Sequence, residues 1–457
     1  MGIGGIGMSG IAELLTNLGY EVSGSDAKRS DVTDRLESLG VRVHVGHDAG
    51  RLGQSDVVVV SSAITPDNPE VVEAQKRHVP VIPRAEMLAE LMRLRYGIAI
   101  AGAHGKTTTT SMVALMLERA GLDPTAVIGG RLSAFGSNAR LGRGDYMVAE
   151  ADESDRSFLK LSPSIAVITN IDREHMESYG TWENLQHAFV EFANKVPFYG
   201  AVVACVDDPP VRALLPRFTR RVITYALDQE ADVTGSEMQL LPFGSKTRIR
   251  VRRPDGSAED SGMLHLKVPG RHNVLNALGA IAVGLEVAIP FTRITGALDA
   301  FQGAERRFQT RGEAAGVMVV DDYGHHPTEI AAVIAAARAG IDRRIVAVFQ
   351  PHRYSRTEQL LNEFGPAFAG ADAVVLTEIY AAGEQPIPGI TAHALAEAVR
   401  RVVNVPVELV PSLDDLPETV AGMTRAGDLV LTLGAGSIGT VGDRILDAIR
   451  ARQEGAR

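Results

Sequence analysis

Cysteine and aromatic residues are scarce in this sequence of 457 residues. The single cysteine, Cys205, excludes a disulfide bond within the chain, and because it follows an apolar run it is better explained as a packed side chain than as a nucleophile. No uncharged apolar run reaches the roughly 18 residues that a membrane-spanning helix needs, and the N-terminus lacks the pattern of a signal peptide. These absences predict a cytoplasmic protein with no membrane partner.

Composition and charge further narrow the class of protein and the kinds of ligand. Hydrophobic residues make up 45% and aromatic residues 5% of the chain, as in ordinary Ala-, Val- and Gly-rich α/β proteins. The formal net charge of −10 argues against nucleic-acid binding, although a local pocket could still hold a small anion. At about 150 residues per domain, the length predicts about three domains.

A short glycine-rich loop at residues 102–108 is the feature around which the sequence is organised. It follows an apolar strand predicted at Tyr96–Ala101 and precedes a helix predicted over Thr109–Ala120. Backbone N–H groups and the dipole at the N-terminus of a helix favour an anion, and Lys106 adds a positive charge. The usual phosphate loop has a glycine where Ile100 stands, so this is a shorter form. We predict an ATP triphosphate site formed by Gly102, Ala103, His104, Gly105, Lys106, Thr107 and Thr108, with Lys106 as a catalytic residue.

Two further apolar strands run into residues that can bind a metal ion. The strand at 146–149 is followed by Glu150, and the strand predicted at Ile165–Ile171 is followed by His175. Because parallel strands present their carboxyl ends at one edge of a sheet, we expect Thr107, Glu150 and His175 to surround one ion. Mg²⁺ is expected since it bridges nucleotide phosphates with few protein ligands, and the histidine would also suit Mn²⁺. The alternative for the neighbouring acids is an ordinary solvated turn, formed by Asp152, Glu153 and Asp155.

The chain opens with overlapping Gly-x-Gly-x-x-Gly patterns between Gly2 and Gly10. A helical pattern follows, and then a strand predicted at Tyr20–Ser23, with Asp26 just beyond it where an acidic ribose ligand would lie. This arrangement predicts a Rossmann-like domain that holds a nucleotide diphosphate, and NAD is one candidate. The pattern should follow a strand, but only Met1 precedes it, so we expect that first strand to be missing or to lie upstream.

The last third of the sequence repeats the alternation of strand and helix. Strands predicted at Val317–Val320 and Ile345–Phe349 end in clusters of histidine, arginine and aspartate, and another Gly-x-Gly-x-x-Gly pattern starts at Gly434. Arg353 and Arg356 lie three residues apart, and paired guanidinium groups suit a carboxylate. Two such glycine patterns beside a phosphate loop argue against a hydride-transfer enzyme, which needs one pattern and no triphosphate loop.

A helix predicted to start near Asn273 could recognise an adenine base. Histidine and asparagine side chains spaced by about one turn line one face of it, where they can donate to and accept from the adenine edge. The alternative is that Asn273 only caps the helix. An arginine at 306–307, at the predicted junction between the second and third domains, could also reach the nucleotide.

Seven motifs along the chain resemble those of the Mur ligase family. They are GIGGIGMSG at 2–10, SSAI at 61–64, GAHGKTTTT at 102–110, EADESD at 150–155, PGRHNVLNA at 269–277, DDYGHHP at 321–327 and PHRYSRT at 351–357. The resemblance implies an α/β fold of three domains. These are a Rossmann-like domain at 1–95 for UDP-N-acetylmuramate, a central P-loop-type ATPase domain with a mixed sheet at 96–309, and a Rossmann-like domain at 310–457 for the amino acid. The implied activity is ATP-dependent joining of L-alanine to the carboxylate of UDP-N-acetylmuramate through an acyl phosphate, in peptidoglycan precursor synthesis.

The resemblance also implies roles for residues that match the family's motifs. It places the UDP-sugar contacts at Gly4, Gly5, Gly7, Met8, Ser9, Asp26, Ser61 and Ser62. It places the adenine and ribose contacts at His272, Asn273, Asn276, Arg307 and Asp322. It places the muramate-carboxylate and alanine contacts at Tyr323, His325, His352, Arg353 and Arg356, with His325 as a candidate base. The implied cofactors are ATP and Mg²⁺, and we expect a monomer or weak dimer.

Three alternatives stay open on the sequence. A recycling ligase of the same family would add a tripeptide in place of alanine. An NAD-dependent oxidoreductase would use the N-terminal glycine pattern but leave the phosphate loop unexplained. A non-catalytic nucleotide-binding module would leave the metal-ligand candidates unexplained.

Overall fold

A computed structural model describes residues 1–61, 63–132, 137–252 and 256–455. Ser62, one of the predicted UDP-sugar contacts, lies outside the described residues. Contacts between Cα atoms divide the chain into two compact units. The first comprises Met1–Ser236, Arg248–Leu264 and Leu275–Phe301, and the second comprises Glu237–Thr247, His265–Val274 and Gln302–Arg457. The predicted boundaries of three domains, at 95/96 and 309/310, stay a prediction.

The first segment of the chain alternates short strands and helices. In order they are α1 (Ile6–Asn17), β1 (Ser23–Asp26), α2 (Asp31–Ser38), β2 (Arg42–Val45), β3 (Val58–Val60), α3 (Pro69–Lys76), β4 (Val81–Pro83) and α4 (Arg84–Arg93). Strand β1 pairs with β2, and β3 pairs with β4, both in parallel. Residues 1–3 form backbone hydrogen bonds to one strand of each pair. Gly2 N and Ile3 N donate to Ser25 O in β1, and the amino group of Met1 donates to Val59 O in β3.

The strand predicted at Tyr20–Ser23 was placed too early. Gly19 is left-handed, with φ of 90°, and Tyr20 N donates to Leu15 O, so these residues still terminate α1. The strand therefore begins at Ser23, and Asp26 is its last residue rather than a residue beyond it.

The central segment forms a ten-stranded mixed sheet with helices. The elements are β5 (Tyr96–Ala101), α5 (Lys106–Arg119), β6 (Thr125–Leu132), β7 (Ser137–Arg140), β8 (Tyr146–Glu150), β9 (Ile165–Ile168), α6 (Met176–Tyr179), α7 (Trp182–Asn194), β10 (Ala201–Cys205), α8 (Pro209–Leu214), β11 (Val222–Ala226), β12 (Val233–Leu241), β13 (Gly244–Arg252), β14 (Ala258–Leu266), α9 (Arg271–Glu286) and α10 (Phe291–Asp299). The strand order is β14-β13-β12-β11-β10-β9-β5-β8-β6-β7. The mixed sheet was predicted correctly.

Three parallel neighbours at the centre of this sheet position the phosphate loop. Strand β5 lies between β9 and β8, with Ala101 opposite Ile168 and Ile100 opposite Glu150. Because β5 is covered on both faces, its sequence is an unbroken apolar run, and Ile98–Ala101 are fully buried. The carboxyl ends of β5, β8 and β9 therefore lie side by side, as predicted.

The last segment forms a six-stranded sheet with helices. The elements are β15 (Gln309–Ala314), β16 (Val317–Asp322), α11 (Pro327–Gly340), β17 (Arg344–Phe349), α12 (Tyr354–Ala367), β18 (Ala373–Leu376), α13 (Ala392–Arg400), β19 (Val407–Leu409), α14 (Leu416–Met423), β20 (Asp428–Leu433) and α15 (Val441–Gly455). The order is β15-β16-β20-β17-β18-β19, and only the edge strand β15 runs antiparallel to its neighbour.

The α/β class predicted from the sequence is confirmed by these sheets. Separate clusters of buried aliphatic and aromatic side chains pack between helices and sheet in each unit. Within the described parts of the chain, none of the helices combines the length and the apolar character that crossing a bilayer requires.

Candidate active site

The glycine-rich loop joins the end of β5 to the start of α5. Gly102 and Gly105 have φ of 137° and 83°, in the region that favours glycine. A Cβ atom added to Gly102 would collide with Thr169 Oγ1, and one added to Gly105 would collide with Asn276 Oδ1. The first N–H groups of α5 have no carbonyl partner within the helix, so they and the helix dipole form an anion site at the loop.

Lys106 is held inside this loop by three oxygen atoms. Its Nζ donates to Gly102 O at 2.6 Å, to Ala103 O at 3.2 Å and to Glu153 Oε1 at 2.8 Å. The exposed fractions of the Lys106 and Glu153 side chains are 17% and 4%. Burial alone would lower the pKa of Lys106, but the negative charge and hydrogen bond of Glu153 outweigh it and raise that pKa. Lys106 is therefore a charged group fixed at the mouth of the anion site.

The acidic residues after β8 do not all form a solvated turn. Glu153 is buried, because the turn folds against the following segment: Tyr179 Oη donates to Glu153 O at 2.5 Å and Ser178 Oγ donates to Ser154 O at 2.6 Å. Burial raises the pKa of Glu153 to about 7, against the attraction of Lys106. Asp155, in contrast, is exposed, as the alternative predicted.

Glu153, Glu174 and His175 form a group that could hold a metal ion. One ligand atom from each lies within 4.8 Å of the others. His175 has a left-handed backbone with φ of 56° at the start of α6, which turns its ring back toward Glu174. Oε2 of Glu153 is buried and has no hydrogen-bond partner among the described residues. Two carboxylates and an imidazole, one of them with an unsatisfied oxygen, fit a divalent cation.

This group shares only one member with the predicted metal site. His175 belongs to it, while Glu150 is the last residue of β8 and is not a member of the group found among the described residues. Thr107 is partly exposed and Thr108 is buried, so Thr107 is the better placed of the two hydroxyl groups. The sequence did contain a signal for each of the two missed ligands. Glu153 lies in the same EADESD motif as Glu150, and Glu174 directly precedes His175. The ligand roles of Thr107 and Glu150 stay predictions.

The predicted adenine contacts lie in two places. Asn276 is buried against Gly105 of the loop, whereas the Nδ2 of Asn273 donates to Pro269 O at 2.7 Å in the first turn of α9. His272 is partly buried, and its desolvation together with the charge of Arg307 lowers its pKa to about 4, so the ring is neutral. A neutral ring offers both a donor and an acceptor, as base recognition requires.

Asp322 and the arginines at the start of the last segment have distinct surroundings. Asp322 accepts from Phe308 N and from Gly324 N, both at 2.7 Å, and burial raises its pKa to about 6. Arg306 is fixed by Asp321 and by the carbonyl of Gly434. The Arg307 guanidinium lies 5.2 Å from the centre of the Tyr323 ring and 3.7 Å from Glu329. Asp322 thus fixes two backbone amides, and its predicted ribose contact stays a prediction.

The predicted carboxylate and amino-acid residues form one cluster after β16 and β17. The Tyr323 and His325 rings lie 5.5 Å apart, and His325 and His352 lie 5.6 Å apart. His352 is stacked on Tyr380, and its Nδ1 accepts from Arg356 Nη1 at 3.1 Å. Burial, then the neighbouring His325 and the arginines, lowers the pKa of His352 to about 3. His352 is therefore neutral, while Arg353 and Arg356 carry permanent positive charge in the cluster.

The N-terminal glycines lie against β1 and β3. Gly4 N donates to Asp26 Oδ2 at 2.9 Å, and Ser61 N donates to Met1 O at 3.3 Å. Gly5 precedes α1 as its N-cap, without a side chain to satisfy the first amides of the helix. Met8 and Ser9 are buried, and their predicted contacts to the UDP-sugar stay predictions.

Arg84 was missed by the sequence analysis. A Cβ atom added to Gly7 would collide with its guanidinium group, which also lies 3.6 Å from Asp152. The arginine thus adds a positive charge next to the N-terminal turn of α1, where a diphosphate would be favoured. Nothing in the local pattern identifies it, since it follows an unremarkable proline at the start of α4.

A buried polar network beside Asp26 was also missed. Ser25 Oγ donates to Glu70 Oε2 at 2.8 Å and lies 3.0 Å from His47 Nδ1. Asp48 N donates to the other oxygen of Glu70 at 3.2 Å. These residues are far apart in sequence, so the network is visible only in the fold.

Comparisons with known proteins agree with this arrangement. Family models match the chain as the Mur ligase family catalytic domain over residues 1–96, the Mur ligase middle domain over 100–284 and the Mur ligase glutamate ligase domain over 306–436. A UDP-N-acetylmuramate–L-alanine ligase of Anaeromyxobacter sp. (strain Fw109-5) is 54% identical over 451 residues, covering 99% of this chain and 97% of that protein.

Solved structures give the same grouping. The crystal structure of a UDP-N-acetylmuramate-alanine ligase from Thermotoga maritima is 28% identical, with a TM-score of 0.82 over 100% of this chain and 98% of that one. A murein peptide ligase from Psychrobacter arcticus is 25% identical, with a TM-score of 0.69 over 98% of each chain. On its full-length identity to curated relatives and three matching domain models, this chain belongs to the Mur ligase family.

Proposed function

We propose that this chain is an ATP-dependent ligase that joins L-alanine to the carboxylate of UDP-N-acetylmuramate, a step of peptidoglycan precursor synthesis in the cytoplasm. The observation that carries the proposal is the 54% identity, over 99% of the chain, to a UDP-N-acetylmuramate–L-alanine ligase. The phosphate loop with its partly buried lysine and the cationic cluster after β16 and β17 are the two kinds of site that such a reaction needs.

Amide formation requires activation because a carboxylate is a poor electrophile. A muramate carboxylate oxygen attacks the γ-phosphorus of ATP, the bond to the β,γ-bridging oxygen breaks, and ADP leaves with an acyl phosphate formed. The alanine amine then attacks the acyl carbon, and the tetrahedral intermediate expels inorganic phosphate as the C–O bond breaks. Lys106 and the N-terminal amides of α5 are placed to stabilise the charge that spreads over the γ-phosphoryl oxygens.

The acidic group beside Lys106 fits a divalent cation. Glu153, Glu174 and His175 would hold it, with Thr107 and Glu150 as the ligands expected from the sequence. Mg²⁺, or Mn²⁺ in its place, would neutralise phosphate charge when bound. The buried, unsatisfied oxygen of Glu153 is the feature of this chain that supports the assignment.

His325 is the candidate base for the alanine ammonium group. Its Nδ1 lies 3.1 Å from Tyr323 O, and a carbonyl can only accept, so the neutral ring carries its proton on Nδ1. In that tautomer Nε2 carries the lone pair that could accept a proton. His352 is less suited because its pKa of about 3 makes it a weak base.

Dependence of ADP formation on both other substrates tests this function. We expect release of ADP from ATP and Mg²⁺ only when UDP-N-acetylmuramate and L-alanine are both present, with the amide product detected by mass spectrometry. Preference for a tripeptide over alanine would instead support the recycling ligase. The similarity to a murein peptide ligase suggests that reaction, but its 25% identity is lower than the 54% identity to the alanine ligase. ATP turnover that is indifferent to UDP-N-acetylmuramate would contradict the proposal.

A further inference from the structure

The phosphate loop is tied to the segment that follows β9 through the backbone of His104. Asn170 makes two of these bonds: its Oδ1 accepts from His104 N at 2.8 Å and its Nδ2 donates to His104 O at 3.0 Å. Thr169 Oγ1 donates to the same carbonyl at 2.7 Å, and Ala103 N donates to Asn170 O at 3.2 Å. Both backbone groups of His104, the N–H and the C=O, are therefore hydrogen-bonded to the residues that follow β9.

The side chain of His104 is held by the same segment. Its Nε2 lies 2.9 Å from Asp172 Oδ2, and the exposed fractions of the two side chains are 15% and 31%. The other carboxylate oxygen of Asp172 accepts from Arg173 N at 2.8 Å, so the carboxylate cannot rotate away without losing a second bond. The imidazole is thereby fixed toward the β9 side of the loop.

We propose that Asp172 is a positioning residue for the nucleotide: acting through His104, it holds the phosphate loop in its anion-binding shape before ATP arrives. The inference rests on the proposed function only in that the loop binds a nucleotide. Asp172 would touch no substrate atom, and its effect passes through the loop backbone.

The energetic reason is preorganisation. A loop whose backbone is already fixed loses little conformational freedom when the triphosphate binds, and the affinity gained is the ordering cost avoided. Gly102 and Gly105 have positive φ, and as glycines they allow the loop backbone many other conformations. The His104–Asp172 contact, together with the bonds from Asn170 and Thr169, restricts the loop to one of them.

Nucleotide binding by alanine and asparagine variants of Asp172 tests this role. Asp172→Ala removes the carboxylate that His104 contacts. We expect its dissociation constants for ADP and for a non-hydrolysable ATP analogue to rise about tenfold, because a partly buried, charge-assisted bond is lost. Asp172→Asn keeps an acceptor oxygen, so we expect it to stay within about threefold of the parent. Asp155→Ala is the matched control, because Asp155 is an exposed acid that follows β8, on the other side of β5. Titration calorimetry measures all of these without the other substrates.

Two further readouts separate positioning from a general structural role. Hydrogen exchange at the amides of Ala103 and His104 should quicken in Asp172→Ala while the strands keep their protection, and KM should rise for ATP but not for UDP-N-acetylmuramate or alanine. Unchanged nucleotide affinity in Asp172→Ala, or an equal loss for all three substrates with a lower melting temperature, would overturn the inference. A parent protein that binds no nucleotide would overturn the inference and the proposed function together.

Discussion

Replacing Lys106 with methionine is expected to lower the turnover number for ligation by about 10³-fold. Methionine keeps much of the volume of the side chain but removes the charge that faces the developing negative charge on the γ-phosphoryl group. The loss should fall on kcat more than on KM for UDP-N-acetylmuramate, because Lys106 lies in the phosphate loop. Coupled detection of ADP, with all three substrates saturating, measures the effect.

The control for this variant must allow for Glu153. Without Lys106 the buried carboxylate loses its cation, and breaking such a pair costs about 3–5 kcal/mol when the remaining group stays charged. Lys106→Met combined with Glu153→Gln removes that charge, so thermal unfolding of the double variant should lie close to that of the parent. Lys160→Met provides a matched surface control, since Lys160 pairs with Glu86 in an exposed contact. A folded Lys106→Met variant that ligates within tenfold of the parent rate would refute the assignment.

Arg353→Ala is expected to raise KM for UDP-N-acetylmuramate or for alanine about 100-fold, with the affinity for ATP unchanged. The guanidinium groups of its cluster stay charged, whereas the imidazole of His352, with a pKa of about 3, is neutral. Arg353 and Arg356 therefore carry the attraction for a carboxylate, and removing one partner of such a pair in a binding site costs about 2–5 kcal/mol.

Initial rates over a grid of substrate concentrations, with nucleotide binding measured separately, separate the two affinities. Arg400→Ala is the matched control, because Arg400 is on α13 and pairs with Glu397 within its own helix. Should Arg353→Ala weaken ATP binding as much as it weakens use of the other substrates, Arg353 would not belong to the substrate side.

The strands around the phosphate loop and the place of the loop itself were predictable because they follow from local pattern. Unbroken apolar runs such as Tyr96–Ala101 mark strands that are covered on both faces, and the glycines after them mark the turn into a helix. Boundaries were less predictable: Tyr20 belongs to the end of α1, and β9 ends at Ile168 rather than Ile171. Helix termination and strand pairing depend on partners that the pattern does not specify.

The glycine pattern at Gly434 also has an explanation in packing that the sequence does not show. Its Gly-x-Gly-x-x-Gly spacing matches a nucleotide-binding turn, but in the fold Gly434 and Gly436 leave space for Gln350 and Tyr380. Small residues at these positions are thus explained by close packing of the protein on itself.

The missed parts of the candidate site all depend on contacts between distant residues. The sequence left open whether Glu153 was one acid of a solvated turn. Only the fold shows that Lys106, 47 positions away, and the Tyr179 hydroxyl lie against it. Arg84 and the Ser25–His47–Glu70 network were missed for the same reason. The chemistry of a residue is set by burial and by its neighbours, and neither is written in the local sequence.

Transfer of an oxygen atom from substrate to phosphate tests the central claim most directly. UDP-N-acetylmuramate labelled with ¹⁸O in its muramate carboxylate is incubated with ATP, Mg²⁺ and L-alanine, and the released phosphate is analysed by mass spectrometry or ³¹P NMR. An acyl phosphate route predicts one ¹⁸O atom in each phosphate formed from fully labelled carboxylate, with the other retained in the amide. Ligation that releases unlabelled phosphate would contradict the account.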